Sequence, residues 1–337
     1  MNEFKFFAGI DISKKTFDVA ILCADNPAAV NHACFQQNLK GYQQFITWIT
    51  EHDRTLSEVL ICMEHTGLYI SGLVEFLVSH QASLWIEMPL RIKRTTGLQR
   101  GGDDKVSAIN IVQFAYRYQD TARLWKPLDT AIEQLRHLVA QRDRLLLAFN
   151  QLNVPVNELE ECGDGQQAKD LRRMQRPALR GIEKSIQAVE TRIEEMIAAD
   201  THINKTIQQI TSVKGVGKQT AIALYVYTKG FSAFENAKQL ACYCGVVPFT
   251  KSSGTSVRYK SQVSPFANKK LKKLLHLCAM SALRFDKDLK AYYKRKTAEG
   301  KNKMSVINAI RNKLLLRIFA VVRDGREYVE NYEYTCA

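Results

Sequence analysis

No stretch of about 18 or more apolar residues occurs in the 337-residue chain, so a membrane-spanning helix is not expected. The start, MNEFKFFAGI, has no cationic segment leading into an apolar core and cleavage site. A soluble, cytoplasmic protein is therefore expected, with no membrane partner. The eight cysteines (Cys23, Cys34, Cys62, Cys162, Cys242, Cys244, Cys278 and Cys336) contain no CxxC pair, and only Cys242 and Cys244 are close. They read as reduced, mostly buried thiols rather than as a disulfide framework or a zinc site. No GxxxxGK[ST] phosphate loop is present, which argues against ATP-driven chemistry. Acidic residues are scarce in one half only. Residues 201–337 hold 8 Asp/Glu against 25 Lys/Arg, a net of +17, whereas residues 1–200 hold 26 against 23, a net of −3. A surplus of this size gathers polyanions by counterion release, so DNA or RNA is the leading partner, with a merely solvated basic surface as the alternative.

What is present begins with three acidic motifs: Asp11 in AGIDISKKTFDVAI, Glu64 in LICMEHTG, and Asp103/Asp104 in QRGGDDKVSA. The first two end apolar, strand-like runs, from which a sheet can converge carboxylates on a divalent metal beside a phosphodiester. Lys5–Asp11, Phe17–Cys23 and Ala33–Gln37 read as an antiparallel meander with turns at Ser13–Lys15 and Asp25–Ala28. Helix Leu39–Glu51, strand Glu58–Glu64, helix Tyr69–His80, strand Ser83–Glu87 and helix Asp104–Tyr118 follow. That order is the one of a ribonuclease-H-like sheet, a fold that also serves sugar kinases and inactive scaffolds.

The middle of the chain reads as a long helical hairpin. Ile132, Leu135, Val139, Leu145, Leu146, Phe149 and Leu152 mark one face, and Leu179, Ile182, Ile186, Val189, Ile193 and Met196 recur at spacings of three and four. Gly163 and Gly165 break it near Cys162–Gln166. Such a hairpin serves either as an arm or dimer seam or simply as core packing. Beyond it, ITSVKGVGKQTA matches a helix–hairpin–helix, whose Gly215-Val216-Gly217 turn offers backbone N–H groups to a phosphate, flanked by Lys214 and Lys218. A polar hairpin or loop containing Ser253 follows, then basic helices that carry Lys269, Lys270, Lys272 and Lys273. Tyr292 and Tyr293, among lysines and arginines, could stack on unpaired bases or belong to the core.

Taken together, these motifs resemble the transposases of the insertion sequence 110 family, bridge-RNA-guided recombinases that include the pilin-gene inverting proteins. GIDISKKTFDV resembles the family's first acidic motif, MEHTG its E-[AST]-T-G, and GDDKVSA stands at its T-D-x-x-D-A. VKGVGKQTAIAL, FENAKQLACYCGVVP and SSGTSVR resemble the C-terminal transposase domain, and the match runs from about Phe7 to Asn308.

The resemblance implies an α/β plus α architecture. Its parts are a RuvC-like DEDD domain over residues 1–125, a helical coiled-coil arm over 126–203, and a mostly helical transposase domain with a helix–hairpin–helix-like start over 204–337. It implies that Asp11, Glu64 and Asp104 are catalytic and bind Mg2+, and that Ser253 is a nucleophile forming a serine–DNA intermediate. Ser107 stands where the fourth acid belongs. Either Ser107 or the adjacent Asp103 completes the site, or this copy has reduced activity. Lys214, Lys218, Lys251, Arg258, Lys260, Lys269 and Lys270 are the candidate nucleic-acid contacts. The implied partners are donor and target DNA, a non-coding bridge RNA, and further copies of the chain in a homodimer or homotetramer, associated with the nucleoid when active. Two other readings use the same residues: a metal-dependent nuclease that activates water while Ser253 is structural, and a catalytically impaired nucleic-acid-binding protein. For single residues the plain alternatives are a strand-ending Asp11, a surface Glu64 beside a solvent-facing His65, an N-capping Asp104, and a turn serine at position 253.

Overall fold

A computed structural model describes residues 4–51, 54–65, 67–95, 97, 103–127, 129–250, 252–253, 257–258 and 262–330. Lys251 and Lys260 lie outside them, and Ser253 and Arg258 are described by their backbone. The chain divides into two compact units, Met1–Pro127 and Leu128–Ala337.

The first unit is built on a five-stranded sheet in the order β3-β2-β1-β4-β5. Strands β1 (Phe6–Ile12), β2 (Thr16–Cys23) and β3 (Asn26–Gln36) form the antiparallel meander, while β4 (Val59–Glu64) and β5 (Ser83–Glu87) add in parallel beyond β1. β1 and β4 are buried on both faces and read as continuous apolar runs, as expected of central strands. β3 begins at Asn26, where a turn was expected. As an edge strand it tolerates Pro27, because the missing N–H leaves no ladder position empty in a central strand.

Helices α1 (Leu39–Ile49) and α2 (Ser71–Ser79) cover one face of the sheet. Tyr42, Phe45, Leu73 and Leu77 pack there with Ala8, Ile10, Val19 and Ile61. After α3 (Pro89–Thr95), α4 (Asp104–Arg117) covers the other face. Its stripe Ala108, Ile111, Val112 and Ala115, spaced for one side of a helix, meets Phe7, Leu60, Cys62 and Trp85. Gly9 lets α4 approach: a Cβ there would stand 2.2 Å from the Val112 nitrogen and 2.5 Å from the Ala108 oxygen.

In the second unit, α5 (Thr130–Glu161) and α6 (Gly165–Ala199) form the hairpin, with Gly163 at φ +96° in the connection. The Arg142–Glu190 ion pair (2.5 Å) and the Arg172–Glu160 pair link the two helices. At the hairpin base, Ile132, Leu135, Val139, Ile193 and Ile197 join the core of the following helices. Leu145, Leu146, Phe149 and Leu152 are only half-buried, each helix being their main cover for the other.

α7 (Thr201–Ser212), α8 (Lys218–Tyr227), α9 (Ala237–Tyr243), α10 (Lys269–Phe285), α11 (Lys287–Ala298) and α12 (Lys303–Arg323) complete this unit. Between α9 and α10, β6 (Pro248–Phe249) pairs with β9 (Gln262–Val263), and inside that ribbon β7 (Ser252–Ser253) pairs with β8 (Val257–Arg258). Among the described residues no helix is long and apolar enough to cross a membrane. The described cysteines are free thiols; Cys62, Cys244 and Cys278 are buried, but Cys34 and Cys162 are exposed, so burial is less general than their number suggested.

Candidate active site

Strand alternation decides which side chains meet. On β1 the residues facing α4 are Phe7, Gly9 and Asp11; on β4 they are Leu60, Cys62 and Glu64. Asp11, the penultimate residue of β1, and Glu64, the last residue of β4, therefore stand near the C-terminal ends of two neighbouring parallel strands, one residue beyond the last paired step, Ile10–Met63. The first turn of α4 lies over the same end. Asp104 and Ser107, three apart and hence on one helix face, both act on Asp11: Asp104 as a neighbouring negative charge and Ser107 as a hydrogen-bond donor.

The electrostatics bear out this convergence. Burial, then the Asp104 charge, hold the Asp11 carboxyl above the usual carboxylate range, and hydrogen bonds from Ser107 and the Ile12 backbone offset part of the rise. Glu64 is also raised, by burial and then by Asp11, with the Lys93 ammonium pulling the other way. Asp103 is not part of this set. Its side chain accepts the Val106 N–H at 2.7 Å and caps α4. His65 is exposed, and its backbone N–H donates to the Glu87 carbonyl at 3.0 Å.

Two further acids face α4 that the sequence reading passed over. Glu87, opposite Glu64 on β5, is matched by Arg91 at 2.5 Å. Asp18, directly opposite Asp11 on β2, is 9 % exposed and bonded to His32. The sequence carried no local signal for Asp18: a turn centred on Ser13–Lys15 would set residue 17 across from residue 11, and the observed pairing is one residue further on.

Asp11, Glu64 and Asp104 supply hard carboxylate oxygens of like charge, a donor set that fits a divalent cation. Among the described residues no three His, Cys, Asp or Glu side chains are drawn into a closed metal cluster.

The basic residues of the second unit are distributed differently. Lys214 pairs with Glu330 (2.5 Å), Lys218 with Glu194, and Lys270 with Asp143. Lys269 is exposed at the start of α10. Gly215, at φ +89°, brings the α7–α8 turn against Ala282, and Gly217 leads into α8 with no side-chain cap.

Comparison with known proteins extends this picture to the whole chain. The DEDD model of IS110, described as a transposase, matches residues 8–156, and a model described as "Transposase IS116/IS110/IS902 family" matches residues 207–294. A first unit that carries the acidic motifs and a basic second unit, both covered by such models, define a transposase, an enzyme of DNA recombination. The pilin gene-inverting proteins of Moraxella bovis and Moraxella lacunata are each 28% identical over 331 residues, 96% of this chain and 98% of theirs. The insertion element IS110 uncharacterized 43.6 kDa protein of Streptomyces coelicolor is 30% identical over 151 residues, 45% of this chain and 36% of that protein. The chain belongs to the IS110 family of transposases.

Proposed function

We propose that the protein is an RNA-guided recombinase of a mobile insertion sequence that exchanges DNA strands through a serine–DNA intermediate. The observation that carries this reading is the convergence of Asp11, Glu64 and Asp104 at one end of the sheet, under the first turn of α4, in a chain whose other unit is strongly basic. In this reading the first unit is a RuvC-like, ribonuclease-H-like domain, the hairpin a coiled-coil arm used in a dimer or tetramer, and the last helices a DNA- and RNA-binding transposase domain.

Asp11, Glu64 and Asp104 would hold Mg2+, which supplies charge neutralisation for an anionic phosphodiester and its leaving oxygen. The Ser107 hydroxyl stands in the fourth position and fixes the Asp11 carboxylate by its hydrogen bond. Ser253 attacks phosphorus: the Oγ–P bond forms as a P–O bond of the strand breaks, the serine proton leaves, and the freed strand oxygen takes one up. A hydroxyl end of another strand then reverses the step, so bond energy is conserved without ATP. Arg258, Lys251 and Lys260, close to Ser253 in sequence, are assigned to its phosphate. Lys214, Lys218, Lys269 and Lys270 are assigned to nucleic-acid backbones, with target choice left to base pairing by the guide RNA.

The test is strand cleavage of end-labelled donor DNA by protein loaded with the RNA from its own element. Asp11→Asn and Glu64→Gln should each lower Mg2+-dependent cleavage by about 100-fold or more. Cleavage indifferent to both substitutions would overturn the assignment of the acids.

A further inference from the structure

The site has one acid fewer than four at its expected positions, yet the sheet carries another beside it. Asp18 on β2 is paired directly with Asp11 on β1, and side chains so paired share a face with Cβ atoms about 5 Å apart. Asp18 is in turn opposite Cys34 on β3. Its Oδ1 lies 2.8 Å from His32 Nε2, and its Oδ2 accepts from Cys34 Sγ at 3.5 Å. The charges of Asp18 and Asp104 both reach the Cys34 thiol, so this row lies under the same first turn of α4.

Asp18 adds a fourth carboxylate to a region that three already face; an Asn there could accept from His32 through its one amide oxygen but not from Cys34 as well. The Asp18 carboxylate so held stands beside Asp11 on the neighbouring strand, with Cβ atoms about 5 Å apart, a separation at which charges interact through the protein.

We infer that Asp18 supplies the fourth negative charge of the acidic site, in place of the acid that Ser107 lacks, as a positioning residue acting through Asp11 on the bound divalent cation. The inference rests on the metal-binding reading above. It distinguishes charge from scaffolding, since His32 and Cys34 of the edge strand hold Asp18 in place whether or not its charge is used.

The test is Mn2+ binding by the full chain, read from the electron paramagnetic resonance of the free ion, with cooperative melting checked for each variant. Asp18→Asn should weaken binding by about 10- to 100-fold, the effect typical of residues that support metal ligands. Adding Ser107→Asp to Asp18→Asn should restore most of the loss, because a carboxylate then returns from the helix side. Loss without rescue would mean that Asp18 only holds β3, and unchanged binding would mean that it does nothing for the cation. Should Asp18→Asn fail to fold, Ser107→Asp alone decides: a gain below about threefold fits a site already holding four charges, and a gain of about tenfold or more contradicts it. Absence of Mn2+ binding by the unaltered chain would instead defeat the metal reading itself.

Discussion

The Asp103 carboxylate accepts the backbone N–H of Val106 at 2.7 Å, and this bond separates two adjacent acids into different roles. Asp103 satisfies an otherwise unpaired N–H at the start of α4, while Asp104, one residue on, presents its charge to Asp11. Replacing Asp103 by Ala should cost about 1 kcal/mol of stability, and Asp103→Ser much less, since serine caps as well. Urea unfolding measures both. Equal loss in the two variants would show that the carboxylate does more than cap.

The acids also set a pH dependence. Asp11 and Glu64 have carboxyls raised in the folded chain, so the fold binds their protons more tightly than the unfolded chain does. Their contribution to stability is full below the unfolded carboxyl range and is lost as pH rises through the raised folded values. Without divalent cation, Asp11→Asn should therefore melt higher than the unaltered chain at pH 7 and show a smaller loss of stability between pH 4 and pH 7. Added Mg2+ should narrow or reverse that difference. Thermal melts in EDTA and in Mg2+ check the sign.

Among the candidate nucleic-acid contacts, ion pairing within the second unit distinguishes neighbours. Lys269 is exposed, whereas Lys270 is paired with Asp143 and lies 5.4 Å from the Tyr227 ring. Lys269→Ala should reduce the slope of log K against log salt by about 0.7–0.9, the value of one lost phosphate contact. Lys270→Ala should change that slope less and stability more. Salt titrations of DNA and RNA binding report the first, and denaturation the second.

Gly215 offers a test of the turn between α7 and α8. Its φ of +89° and a Cβ position 2.8 Å from the Ala282 side chain leave no room for a larger residue. Gly215→Ala should destabilise the chain by about 1–3 kcal/mol through strain and overpacking, as read by urea unfolding.

Much of the sheet could be read from residues because each central strand is a short apolar run ended by a turn signal or an acid. β5 lies at Ser83–Glu87 as expected, and α4 starts at Asp104 as expected, because the sequence there carries both a cap and a one-sided stripe. β3 was harder: its polar, half-exposed edge lacks the alternation that marks a buried strand, and Asn26–Pro27 resembles a turn. Asp11, Glu64 and Asp104 were legible as strand-end and helix-start acids. Asp18 was not, since its significance comes from a cross-strand register that no local pattern displays. The half-buried middle of the hairpin was equally hidden, because helical periodicity reports a face and not what covers it.

The central claim is that Ser253 becomes covalently joined to DNA with the help of the acids. The direct measurement is mass spectrometry of protein trapped with donor DNA, guide RNA and Mg2+, then digested with nuclease and protease. A nucleotide phosphate mass on the peptide containing Ser253, absent from Ser253→Ala and reduced by about 100-fold or more in Asp11→Asn, is the predicted result. Full strand cleavage by Ser253→Ala, or an adduct on another residue, would contradict it.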